Sequence, residues 1–145
     1  MRSILGLAPR LLSDEEIDAV CVEIGTRYAP LVVFLVETAL RPEEAFGLTR
    51  ADLDLHKREI VVRRRYSDGE LKQGTKTVPE RVVPLSDRAL AALKSLPARL
   101  DTAVLFPAQR GGHLDIEKFR HRHWHPRFAR RASPTVGSTI FGIRR

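Results

Sequence analysis

The sequence holds 145 residues, 43% of them hydrophobic and 30% charged, enough for one domain with a modest core. No apolar run reaches the length that spans a bilayer, Met1 does not open an export segment, and Cys21 is the only cysteine, so a cytosolic protein without a disulfide framework or a membrane partner is expected. The net charge of +7 lies in the last quarter: residues 1–109 carry 16 Lys+Arg against 16 Asp+Glu, and residues 110–145 carry 9 against Asp115 and Glu117. A one-sided basic surface suits a polyanion, most commonly nucleic acid, although a basic solubilising tail has the same composition.

Ser13, with Glu16 three residues on, forms a capping box ahead of Ile17, Val20, Cys21 and Ile24, which share a helical face; a first helix is expected from Asp14 to Gly25. Cys21 on that face reads as a packed thiol. Pro30 suits the first turn of a second helix reaching Leu40, apolar nearly all round and therefore buried on several sides. Arg41 leaves that core, and Pro42 starts a short third helix to Leu48, so the arginine is held on rigid backbone with Glu44 in reach to orient it. Residues 50–54 read as a turn.

From Glu59 the pattern turns to β. Glu59 to Tyr66 is rich in β-branched residues, Ser67, Asp68 and Gly69 supply turn chemistry, and Glu70–Gln73, Lys76–Val78 and Arg81–Leu85 continue as short strands. Ser86 and Asp87 cap a helix with Ala89, Leu90, Ala92, Leu93 and Leu96 buried, closed by Pro97. Val104 to Phe106 makes a brief apolar contact, Gly111 and Gly112 mark a turn, and residues 115–131 read as one basic amphipathic helix, interrupted at Pro126, with Ile116, Phe119, His123 or Trp124, and Phe128 inward. The expected fold is α+β, mainly helical, with a small three-stranded antiparallel sheet that leans on the helices.

The stretch from Thr38 to Asp54 resembles the first arginine box of the tyrosine recombinases, the integrases of phages and mobile elements. That box reads Thr-Gly-Leu-Arg, then Glu three residues later, then Leu-x-x-x-Asp-(Leu/Val)-Asp. Thr38, Leu40, Arg41, Glu44, Leu48, Asp52, Leu53 and Asp54 match, and Ala39 replaces the glycine. Ile143, Arg144 and Arg145 are similar to the second box, with Phe141 where a histidine is usual. The resemblance implies that residues 1–145 are part of a recombinase catalytic domain, without the core-binding domain that normally precedes it.

It also implies a chemistry. The non-bridging oxygens of a phosphodiester gain charge as a nucleophile approaches, and two guanidiniums offset that charge. The resemblance gives these roles to Arg41, braced by Glu44, and Arg144; a hairpin lysine, Lys76 or failing it Lys72, would protonate the leaving 5′ oxygen. The nucleophilic tyrosine of the family would follow the second arginine, whereas this sequence has Tyr28 and Tyr66 only. A DNA-binding recombinase fragment unable to cleave by itself is therefore expected, with double-stranded DNA and other recombinase subunits as partners and no small-molecule substrate or cofactor. Arg63 and Arg65, alternating along one strand face, and Lys72 would meet backbone phosphates.

Arg120, Arg127 and Arg130 of the 115–131 helix would do the same, or, in an alternative reading, would set that helix in a major groove as part of a small non-catalytic DNA-binding regulator. An RNA partner has little support because aromatics are not clustered. His121, His123 and His125 stand two apart and cannot converge from one helix face, so no metal site is expected, and with His113 they read as DNA-facing or partly packed.

Overall fold

A computed structural model of the chain describes residues 13–73 and 80–124. Helix α1 (Asp14–Ile24) starts at the expected capping box: Ser13 Oγ accepts the Glu16 N–H at 3.1 Å and Glu16 Oε1 accepts the Ser13 N–H at 2.9 Å. Its inner face carries Ile17, Val20 and Ile24 against α2 (Ala29–Thr38), whose Leu31, Val32, Phe34 and Leu35 are buried. Cys21 is half-buried and packs against the core as expected; burial and the nearby Asp18 push its thiol up despite Arg88.

Helix α2 stops two residues short of Leu40. Thr38 Oγ1 bonds back to the Phe34 carbonyl at 2.8 Å and accepts the Leu40 N–H at 3.3 Å, and Ala39 takes a left-handed conformation, φ 60° and ψ 22°. Arg41 is therefore not the end of α2 but the N-cap of α3 (Pro42–Phe46). A single 3₁₀ turn, Arg50–Asp52, leads on into the strands.

The sheet is small and antiparallel as expected, but its membership differs. Strands β1 (Leu53–Asp54), β2 (Glu59–Val62) and β5 (Arg81–Pro84) form a three-stranded sheet in the order β1-β2-β5, while β3 (Arg64–Ser67) and β4 (Glu70–Gln73) form a separate ribbon. The expected strand from Glu59 to Tyr66 is thus broken at Arg63, and the segment expected to be a turn at residues 53 and 54 supplies an edge strand. The cause is a buried carboxylate: Asp52 holds both Arg63 and Arg64, neighbours that a regular strand would point to opposite faces. The ribbon then turns toward α3, where Gly47 lets the backbones close; a Cβ there would sit 3.0 Å from the Arg64 oxygen and the Arg65 Cα. Asp68 and Gly69, at φ 54° and 78°, make the primed turn between β3 and β4. The expected strand at residues 76–78 lies outside the described residues.

Helix α4 (Asp87–Lys94), capped by Ser86, packs its Ala89, Leu90 and Leu93 on α2. Leu105 joins Leu48 and Arg50 joins Ala103 through backbone bonds of 3.0 and 2.9 Å, which lays Leu105 and Phe106 into the core. The single helix expected over 115–131 is, in its described part, a four-residue α5 (Ile116–Phe119) followed by a π-helical turn, Arg120–Trp124. Ile116, Phe119 and Trp124 point inward as expected, with Trp124 only 2% exposed, and Phe128 lies outside the described residues. Helix α3 thus packs against β3, and Arg41 stands at its start, between α2 and the ribbon.

Candidate nucleic-acid interface

Arg41 is positioned by the backbone on both sides. The left-handed Ala39 and the Arg41–Pro42 step, with Arg41 extended at φ −74° and ψ 146°, fix where the side chain leaves the surface. The residue is exposed, and among the described residues its guanidinium has no hydrogen-bond or ion-pair partner. Its N–H donates to Glu44 Oε1 at 3.0 Å, so Glu44 braces the arginine through the main chain and not, as the sequence led us to expect, by gripping the guanidinium.

The Glu44 carboxylate is taken by a residue the sequence did not single out. Arg81, at the start of β5, donates Nη1 to Oε2 at 3.0 Å and Nη2 to Oε1 at 2.9 Å, a two-pronged pair with the glutamate side chain 7% exposed and the arginine 42%. Burial pushes the Glu44 carboxyl up, but the Arg81 hydrogen bonds, the Arg41 N–H and the charges of Arg81 and Arg41 together hold it below the usual carboxylate range. It is therefore an anion at neutral pH, and a nearly dry one. Sequence could say only that a glutamate on the buried side of a short helix needs a cation, and not that Arg81, 37 residues on at the start of a largely exposed strand, supplies it.

The other candidates divide. Arg63 is corrected: it lies between strands, so it does not share a strand face with Arg65. Its guanidinium is bound at 2.8 Å to Asp52, which is 2% exposed, and at 3.2 Å to Glu80. Arg65 sits on the β3–β4 ribbon directly across from Lys72, and Lys72 is bonded to Asp68 at 3.0 Å. Arg120 is mostly covered, its side chain 22% exposed and 3.5 Å from Glu117. Lys76, Arg127, Arg130 and Arg144 lie outside the described residues, so the expected meeting of Arg41 with Arg144 and Lys76 is not described.

Two histidines read as DNA-facing or packed are packed. His113 Nδ1 lies 2.8 Å from the Phe46 carbonyl with its ring stacked 4.6 Å from Tyr66, and His123 lies against Tyr28 and Phe119 at 4.7 and 5.3 Å. Among the described residues there is no group of three metal-ligating side chains and no helix long and apolar enough to cross a membrane. Two open hollows of about 360 and 270 Å³, sharing Leu96, Pro97, Arg99 and Pro107, lie around the end of α4 and are lined by none of the candidate residues.

The fold has counterparts among solved structures. The Tn1549 transposon integrase, solved in complex with a circular intermediate DNA, is 20% identical and superposes with a TM-score of 0.61 over 90% of this chain and 51% of that one. The same integrase with transposon right end DNA gives 20%, 0.61, 88% and 48%. The XerA recombinase gives 22% identity and a TM-score of 0.65 over 92% of this chain and 48% of its own. The chain spans about half the length of these structures, which at such identities share its fold. No curated protein matches the sequence. The family model described as the phage integrase family, however, matches residues 11–129, most of the sequence, and the chain belongs to that family.

Proposed function

We propose that residues 1–145 carry the phosphate-binding part of a tyrosine recombinase catalytic domain and that the chain binds double-stranded DNA through its sugar-phosphate backbone. The observation that carries this reading is the exposed Arg41 guanidinium, without a partner among the described residues, on a backbone fixed by two helix ends. A planar cation held in this way can give paired N–H bonds to two phosphate oxygens and loses little freedom in doing so. Arg65 and Lys72, facing each other across the ribbon, would add neighbouring phosphate contacts. Lys76 as proton donor and Arg144 as second guanidinium complete the reading from the sequence.

The reading does not give these 145 residues strand cleavage of their own. Tyr28 and Tyr66 are the tyrosines in the sequence. Tyr28 is buried against Phe119 and His123 with its hydroxyl taken by Arg27 at 3.1 Å, and Tyr66 is stacked on His113. Neither is disposed as a nucleophile. A covalent DNA adduct that survives denaturant would reverse this part of the proposal. Action in the cytoplasm, beside other recombinase subunits, belongs to the same proposal.

Fluorescence anisotropy on two unrelated duplexes tests it. Similar affinity for both is expected, with log K falling linearly as log salt rises, by about 0.9 per phosphate contacted. No binding to either duplex at low salt would end the reading.

A further inference from the structure

We propose that Arg81 is a positioning residue for Arg41: by occupying both oxygens of Glu44, it keeps that carboxylate off the Arg41 guanidinium and leaves Arg41 free for a phosphate. The inference rests on the reading of Arg41 as a phosphate ligand. Glu44 is within reach of Arg41, since it stands three residues on in the first turn of α3 and already holds the Arg41 N–H at 3.0 Å. A carboxylate only 7% exposed cannot rely on water, so its lone pairs must be met by protein donors.

Without another partner, the Arg41 guanidinium would be the nearest cation on the same helix end. Arg81 prevents this from a different element. It is anchored in the sheet opposite Val62, and its fork fills Oε1 and Oε2 at 2.9 and 3.0 Å. A lysine, with one ammonium, would not cover both oxygens. The net result is a neutral Glu44–Arg81 pair beside an arginine that keeps its charge.

The test uses the full chain as wild type, Arg81→Ala, Glu44→Gln and the double variant, with Arg81→Lys in case Arg81→Ala does not fold. Two readouts are taken: anisotropy on a short duplex, and proton exchange of the Arg41 side-chain Nε–H by NMR without DNA. Arg81→Ala is expected to lose roughly tenfold in affinity, the order of one charge-assisted contact, with Arg81→Lys between it and wild type. Adding Glu44→Gln, which removes the charge but keeps an acceptor for the Arg41 N–H, restores affinity to within about twofold of wild type.

A double variant as weak as Arg81→Ala overturns the inference, because Arg81 would then touch phosphate itself or serve stability alone. In the NMR arm, exchange at the Arg41 Nε–H slows in Arg81→Ala and recovers in the double variant; unchanged exchange overturns the inference whether or not DNA binds. Failure of the wild type to bind any duplex overturns the phosphate reading instead, and the exchange data still decide whether Arg81 shields Arg41.

Discussion

The two ends of the segment from Arg41 to Asp52 use the same device for opposite purposes. At one end Glu44, at the other Asp52, is buried, and these are the buried charged residues among those described. Each accepts the backbone N–H three residues before it, Arg41 for Glu44 at 3.0 Å and Thr49 for Asp52 at 2.9 Å, and so caps a short helical turn. Glu44 then takes a guanidinium from a distant strand and spares the arginine beside it. Asp52 absorbs two neighbouring arginines at the break between β2 and β3, Arg63 and Arg64, and also the Thr49 hydroxyl at 3.2 Å. The lesson is that an arginine's job is set by which buried carboxylate reaches it, and proximity in sequence to a motif does not decide this.

The largest effect should come from removing the Asp52 hub. Asp52→Ala leaves two guanidiniums and the Thr49 N–H without their acceptor, and breaking a buried pair in this way costs about 3–5 kcal/mol. The low end, about 3 kcal/mol, is expected here, because Arg63 is already 40% exposed and can turn to water while Arg64, at 20%, cannot do so as readily. Urea unfolding measures it. A loss under about 1 kcal/mol would show that Asp52 is no more than a surface ion-pair partner and would dissolve the parallel with Glu44.

Next in size is the contrast in DNA binding. Arg41→Ala is expected to lower affinity roughly tenfold and to flatten the salt dependence by about 0.9 in log-log slope, the share of one phosphate. Arg63→Ala, already neutralised by Asp52 and Glu80, should leave that slope as it is. Equal slopes for the two variants would erase the distinction between the two ends.

This contrast also marks what the sequence could and could not tell. The cap at Ser13, the turn at Asp68 and Gly69, the α4 stripe and the placing of Arg41 at a rigid junction were all legible, because each depends on residues within four positions of one another. The break at Arg63 was not. A run of Ile60, Val61 and Val62 followed by three arginines has the composition of a single strand, and only the fold brings Asp52 beneath it. The Glu44–Arg81 pair was hidden for the same reason, being 37 residues apart along the chain.

Acid titration sharpens the comparison from the Glu44 side. Glu44 has its carboxyl held low in the fold, so its contribution to stability is fully present at neutral pH and is lost as the pH falls through and below the ordinary glutamate range, about pH 4. Glu44→Gln removes this dependence. Its melting temperature should be lower than that of wild type at neutral pH, and the difference should shrink as the solution is made more acid. A constant difference across that range would mean that the Glu44 charge adds nothing to the fold beyond its shape.

The smallest effect expected is a gain. Ala39 sits at φ 60°, where an L side chain costs roughly 1–2 kcal/mol and glycine costs nothing sterically. Glycine gives some of this back through the wider freedom of the unfolded chain, so Ala39→Gly should stabilise by about 0.5–1 kcal/mol in urea unfolding. The same change tests how Arg41 is held. If the left-handed step between α2 and α3 is what aims the guanidinium, relieving the strain without altering the path of the chain should leave DNA affinity unchanged. A variant that is more stable but binds less would show that alanine's stiffness at this step, and not the step itself, holds Arg41 toward the phosphate.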